Sequence, residues 1–552
     1  MRRELHPRFV TVILLLLAFA LALTSAVQKS PTMDEQNHIG RGIAYLGTGD
    51  PRLSVEHPPL VNTLSALPVH HLLHPELPLD ESWERGDWYS FADEFLWKVN
   101  ADADRIVFLA RLPIIGLTLV LAALAFRWGS ELFGGWGGTM AAVFCVLDPN
   151  ILAHGRLATT DLGNTCFVFL AAYALWRAAR RPVWSRILMA GLAFGLALSA
   201  KMSALAFGPI LAFVILLDTL VNRPSRHDLK NVLALWMAMG LLGSLVLWAI
   251  YGFQIGPLGT EGPVGPAAPY VKGISAILGA LGGGRASYLL GEYSSHGWWY
   301  YFPVAYAVKT PLATLLALIL ATGLMLRRPR RDDLFIVIPP LAYFGISMTT
   351  SVNIGFRHLL PILPFLALHI GRVAAPVRIN TRGSSGPDPE AVRSSKTRAV
   401  MGGLLAVAIV VSALFIYPDF LAFFNVFGGG PENGWQVLVD SNIDWGQDLK
   451  NLKKWMDDSG TDYIRLSWFG SAYPEAYGIN HELLPSFPHN YGGWESLSFD
   501  PQNPAPGTYV ISVSNLVGLL FPDHDLYGWF RAREPDAKIG YSLFVYRVPE
   551  DE

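Results

Sequence analysis

Two adjacent acids, Asp34 and Glu35, follow the apolar run 9–27 of this 552-residue chain. Further along, other chemistry-bearing residues stand at the edges of apolar stretches: Glu56-His57, Asp161, Lys201, Lys309 and Arg357-His358. A carboxylate at a membrane boundary can take the proton of an acceptor hydroxyl, and cations beside it can stabilise a departing phosphate. Successive side chains diverge by about 100° on a helix and about 180° on a strand, so Asp34 and Glu35 cannot both face one reacting centre. One is expected to face it while the other binds a cation or a backbone amide. Purely structural roles stand beside these: an N-cap for a helix over 36–45 at Asp34, a cap at Asp161, and snorkelling to headgroups for Lys201, Lys309 and Arg357 with His358.

Such residues need a frame, and the frame is lipid. Hydrophobic residues make up 52% of the chain and charged residues 16%, too apolar a balance for one soluble domain. A bilayer core of roughly 30 Å takes about 20 apolar residues per spanning helix. Windows of that kind recur at 9–27, 105–126, 137–153, 162–177, 187–200, 203–221, 231–253, 302–326, 334–351, 358–376 and 399–417, which predicts eleven spans. The basic start (Arg2, Arg3, Arg8) before 9–27 would suit a signal peptide, but so many later spans make that run a retained anchor. Lys and Arg gather around Arg177 to Arg186, Arg223 to Lys230, Arg327 to Arg331 and Arg372 to Arg398. The positive-inside bias places these in the cytoplasm. The expectation is a multi-pass inner (cytoplasmic) membrane protein with its N-terminus inside and its C-terminus outside.

The outer segments are acidic. Residues 28–104 carry five Lys or Arg against thirteen Asp or Glu, and residues 418–552 carry eight against nineteen. The formal net charge of −2 hides this asymmetry, and no face suggests nucleic-acid binding. The two cysteines, Cys145 and Cys166, fall inside apolar runs, so no disulfide staples an outer module.

The chain therefore divides into a membrane domain, 1–417, and an extracytoplasmic α/β domain, 418–552. Within the first lie an outer loop with interfacial helices (28–104), a second large outer loop (253–301) and a polar cytoplasmic linker (377–398). Periodicity in the tail predicts strands over 435–440, 463–468, 508–513 and 542–548, and a helix over 448–457 with Leu449, Leu452 and Trp455 on one face. The second loop ends in Trp298-Trp299-Tyr300-Tyr301, either an aromatic belt or a surface on which sugars stack. Glu56, His57 and Asp161 could converge on a divalent cation, though no spacing rule demonstrates it. Asp440, Asp444 and Asp448 have the wrong spacing for a calcium loop and suit helix capping instead.

The ordered series Met33-Asp34-Glu35, Glu56-His57-Pro58-Pro59-Leu60, Arg111-Leu112-Pro113, Leu157-Ala158-Thr159-Thr160-Asp161 and Arg357-His358-Leu359-Leu360-Pro361 resembles the GT-C membrane glycosyltransferases. The likeness is to the protein O-mannosyltransferases and the bacterial lipid A aminoarabinose transferases, and it covers roughly residues 9–375. It implies a polytopic helical GT-C-like fold and transfer of a sugar from a polyprenyl-phosphate donor to a lipid, glycan or protein acceptor on the outer face. Asp34 inherits the catalytic acidic position, with Glu35 beside it and Asp161 in support. Lys201, Arg357, His57, His358 and Lys309 are expected to hold the donor phosphate, and Glu56, Trp298, Trp299 and Tyr301 to meet the acceptor or sugar. The resemblance fixes no cofactor, and a divalent cation is left open. His57 departs from the aminoarabinose transferases, which have a lysine there, so a permanent charge is replaced by a group that titrates. The rival reading is a transporter or flippase, but those place their sites near the bilayer midplane in paired broken helices, and no such pairing is visible.

Overall fold

The computed structural model describes residues 6–221, 226–258, 263–376, 389–487 and 499–550. Among them, five helices are long and apolar enough to cross a bilayer: Pro7–Gln28, Ala103–Phe133, Met202–Leu220, Lys230–Ile250 and Lys396–Ile416. The pair Tyr301–Lys309 and Leu312–Arg327 adds a sixth if it counts as one span, bent by 106°. The bend falls at Thr310-Pro311, where proline supplies no backbone N–H. Several other windows of the expected eleven are short helices: Gly135–Val146, Trp184–Ala200 and Asp333–Ser347. The window 137–153 is split because Asp148 ends one helix and caps the next, its Oδ1 accepting from Asn150 N at 2.8 Å with Pro149 in the first turn. The window 358–376 becomes 3₁₀ turns around the short helix Leu363–Ile370.

The first outer segment folds into packed helices. Glu35–Thr48 lies against Pro59–Leu73, so close that a Cβ on Gly42 would sit 2.1 Å from the Asn62 carbonyl oxygen. Residues 62–71 belong to this contact, with Ser65, Ala66 and Val69 buried; they form part of a packed layer. Of the expected linker, 377–388 lies outside the described residues, and 389–398 forms the start of the helix Pro389–Ile416.

Beyond Ile416 the chain forms a five-stranded sheet in the order His481–Leu483, Ile464–Ser467, Gly507–Ser512, Leu543–Val548, Ala537–Ile539. The first three strands are parallel and the last two pairings antiparallel. The helix Leu449–Ser459 packs on it through Leu449, Leu452 and Met456, with Trp455 only partly buried. The strand expected at 435–440 is absent. Residues Gly434–Gln436 and Asp440–Asn442 are 3₁₀ turns, and Asp440 has φ +57°, a left-handed conformation that ends any extended run. One apolar core runs from the membrane helices into the tail through Leu438, Ile443, Trp445 and Tyr509.

Candidate active site

The backbone before Asp34 is held on two sides. Arg111 donates to the carbonyls of Ala26, Lys29 and Ser30 at 2.6 to 3.0 Å, while Ser30 N and Met33 N donate to the tail carbonyls of Gln447 and Trp445. Asp34 then starts the helix Glu35–Thr48, but its carboxylate makes no capping hydrogen bond. Its Oδ2 accepts from Arg357 Nη1 at 2.7 Å, with the Asp34 side chain 31% exposed and Arg357 11%. Burial pushes the Asp34 pKa up, yet the charge of Arg357, with Arg285 beyond it, holds it below the ordinary carboxylate value.

Glu35 faces away and is fully buried. One oxygen accepts from Arg111 Nε and Ala158 N, both at 2.8 Å; the other accepts from Arg111 Nη2 at 2.7 Å and from the backbone and hydroxyl of Thr32. Burial disfavours its charge, but Arg111 and these donors outweigh it and lower its pKa. Every lone pair is in use, so Glu35 binds a cation and two backbone amides and braces the turn that carries Asp34.

Asp161, in the first turn of Thr160–Arg180, accepts from Lys201 Nζ at 2.5 Å. These two line one narrow cleft with Asn164, Ser203, Tyr343, Arg357, His358 and Pro361, too tight in this structure to admit a water molecule. His358 Nε2 is buried there with no hydrogen-bond partner among the described residues. The structure thus gathers Asp161, Lys201, Arg357 and His358, with Asp34 joined to them through Arg357. His57 stands at the same edge, its Nδ1 3.3 Å from Thr160 Oγ1 and its ring edge-on to His38 at 4.7 Å. Burial and then the nearby His38, Arg41 and Lys201 push the His57 pKa well down; burial and Arg41 take His38 to about 4. Both are neutral at pH 7.

Other expected residues lie elsewhere. Lys309 is buried, donating to the carbonyls of Leu421 (2.7 Å) and Asn442 (2.6 Å) under the Phe424 ring, and it does not line the cleft. Tyr301 is buried with its hydroxyl accepting from Asn442 Nδ2 at 3.1 Å, so it offers no face to a sugar. Trp298 is half-buried and Trp299 is 66% exposed, and neither lines the cleft. Glu56 pairs with Arg41 at 3.6 Å. It does not join His57 and Asp161 as a ligand set: among the described residues no three His, Cys, Asp or Glu side chains are grouped to hold a metal ion.

Two residues of the site were missed from sequence. Arg111 was visible only as part of a motif, its charge mid-helix in an apolar run being the signal that it had a buried anion to meet. Trp445, whose ring lies under the Arg357 guanidinium at 4.3 Å, sits some ninety residues away in the tail, and no spacing rule links the two.

Residues 104–248 match the family described as dolichyl-phosphate-mannose-protein mannosyltransferase. The structure of ArnT from Cupriavidus metallidurans bound to undecaprenyl phosphate superposes with a TM-score of 0.50 at 13% identity, covering 97% of each chain. The chain has the GT-C fold of membrane glycosyltransferases. This GT-C-fold chain is a multi-pass membrane protein, and its match to ArnT extends through the tail sheet as well as the helices. The apo oligosaccharyltransferase of Archaeoglobus fulgidus gives a TM-score of 0.47 at 11% identity, over 91% of this chain and 70% of that one. No curated protein sequence matches the chain.

Proposed function

We propose that the protein transfers a sugar from a polyprenyl-phosphate donor to a hydroxyl on a lipid, glycan or protein acceptor at the outer membrane face, inverting the anomeric centre. The observation that carries this is the pair Asp34–Arg357 beside a narrow cleft that Arg357 shares with Lys201: one partly exposed carboxylate with a cation on it, and a second cation on the far side of that arginine.

The phosphate departs as an anion and needs no acid, so a single carboxylate base suffices. Asp34 takes the acceptor hydroxyl proton as the oxygen attacks the anomeric carbon and the bond to phosphate breaks. Arg357 and Lys201 receive the developing phosphate charge, with His358 donating to it from its unpartnered ring nitrogen Nε2. A phosphate that recruits Arg357 also weakens its pull on Asp34 and so raises the carboxylate's basicity where the base is needed. Asp161 aims Lys201 through their 2.5 Å contact, and Glu35 with Arg111 fixes the turn. The ArnT complex with undecaprenyl phosphate supports a polyprenyl phosphate as the donor's carrier. The basic loops support a cytoplasmic N-terminus and an outer catalytic face.

Purified protein incubated with a panel of polyprenyl-phosphate sugars is the test. Consumption of at least one donor, releasing polyprenyl phosphate, is expected. Solute accumulation in vesicles with no donor consumed would replace this reading by a transporter.

A further inference from the structure

The tail segment that carries Trp445 is fastened to both halves of the site. Trp445 O accepts from Met33 N at 2.8 Å, immediately before Asp34. Asn442 Oδ1 accepts from Phe356 N at 2.9 Å, immediately before Arg357, and Ser441 Oγ donates to Ile354 O at 2.8 Å. Contact there is so close that a Cβ on Gly355 would meet Ser441 Oγ at 2.3 Å. Trp445 is itself held, its N–H donating to Gln447 Oε1 at 2.8 Å, and it is 1% exposed.

Arg357 is bound to little else. One nitrogen reaches Asp34, and Nε is buried with no hydrogen-bond partner among the described residues. What fixes the guanidinium plane is the indole face 4.3 Å from its central carbon. A ring face attracts a cation without accepting its in-plane hydrogen bonds. Unlike a second carboxylate, it orients the group and leaves its donors for Asp34 and for phosphate oxygens.

We propose that Trp445 is a positioning residue of the transfer reaction: its indole holds Arg357 at the required distance from Asp34, making the tail segment around it a wall of the active site. This rests on the reading of Arg357 as a phosphate ligand and Asp34 as base.

The experiment compares full-length Trp445→Leu, Trp445→Phe and Asp34→Asn with the unaltered chain. Two quantities are measured: affinity for undecaprenyl phosphate alone, and the pH profile of kcat/KM with a donor found by the panel. Trp445→Leu is expected to weaken undecaprenyl phosphate binding about ten-fold and to move the acid limb of kcat/KM to higher pH, as Asp34 loses part of Arg357's field. Trp445→Phe should recover most of both. Unchanged affinity and an unmoved acid limb in Trp445→Leu overturn the proposal. Should that variant fail to accumulate in the membrane, Trp445→Phe decides alone: a smaller shift in the same direction supports the proposal, and no shift in either quantity overturns it. Normal turnover by Asp34→Asn sinks the base assignment instead, and the affinity arm still judges Trp445.

Discussion

Arg111 grips Glu35 with two guanidinium nitrogens, Nε on one carboxylate oxygen at 2.8 Å and Nη2 on the other at 2.7 Å. The pair is buried, and Arg111 also takes three carbonyls from residues 26–30. Of two neighbouring acids, then, one is a fixed support and the other is left open for chemistry. The division follows from adjacency on a helix start, where side chains a residue apart diverge.

Breaking that pair from one side strands a buried charge. Arg111→Leu is expected to destabilise the protein by about 3–5 kcal/mol, read as a lowered Tm of the detergent-purified protein and reduced yield. Arg111→Leu with Glu35→Leu should lose less than the single variant, because no charge is left uncompensated.

Lys201 is held by Asp161 at 2.5 Å in the cleft. Replacing Lys201 by Ala removes a charge-assisted contact of about 1.5–3 kcal/mol, so affinity for undecaprenyl phosphate should fall roughly ten- to a hundred-fold. Unaltered affinity would remove Lys201 from the phosphate site.

The histidines set a pH dependence of stability. His38 is lowered to about 4 in the fold, against about 6.5 in an unfolded chain. Between those values the unfolded chain binds a proton that the folded one does not, so stability falls as pH drops from about 6.5 toward 4. The Tm should be flat above pH 7 and decline below pH 6, and the decline should shrink in His38→Gln. The His57 pKa is lowered in the same sense, so His57→Gln should leave the pH profile of kcat/KM between 6 and 8 unchanged.

Removing the tail should abolish turnover. A chain of residues 1–417 loses Asp448, whose Oδ1 pairs with Lys29 at 2.5 Å, together with the carbonyls that hold Ser30 and Met33. The expected outcome is no donor consumption by the truncated protein. Turnover at the full-length rate would show that the membrane domain builds the site unaided.

Much of the site was legible because its acids and cations are expensive near lipid and stand out against apolar runs. Asp34, Asp161, Lys201 and Arg357 carry that signal; the last three line one cleft, and Asp34 joins it through Arg357. Lys309 carried the same signal but meets backbone carbonyls, a partner that hydropathy cannot distinguish from a phosphate. Span counting was weakest where helices break, at Asp148-Pro149 and Thr310-Pro311, because a window average does not register a cap or a missing N–H. The strand at 435–440 failed for a related reason: the apolar run was real and is buried, but Asp440 turns left-handed within it. The Trp445–Arg357 contact was beyond reach, since it depends on a docking of tail onto helices that no local pattern encodes.

The central claim is that Asp34 is the base, and Asp34→Asn tests it with the least change of shape. The measurement is donor consumption by the purified variant, with undecaprenyl phosphate affinity recorded in parallel. Turnover should fall by about two to four orders of magnitude while the affinity is equal or tighter, because Arg357 has lost its competing carboxylate. Turnover at the unaltered rate would contradict the account.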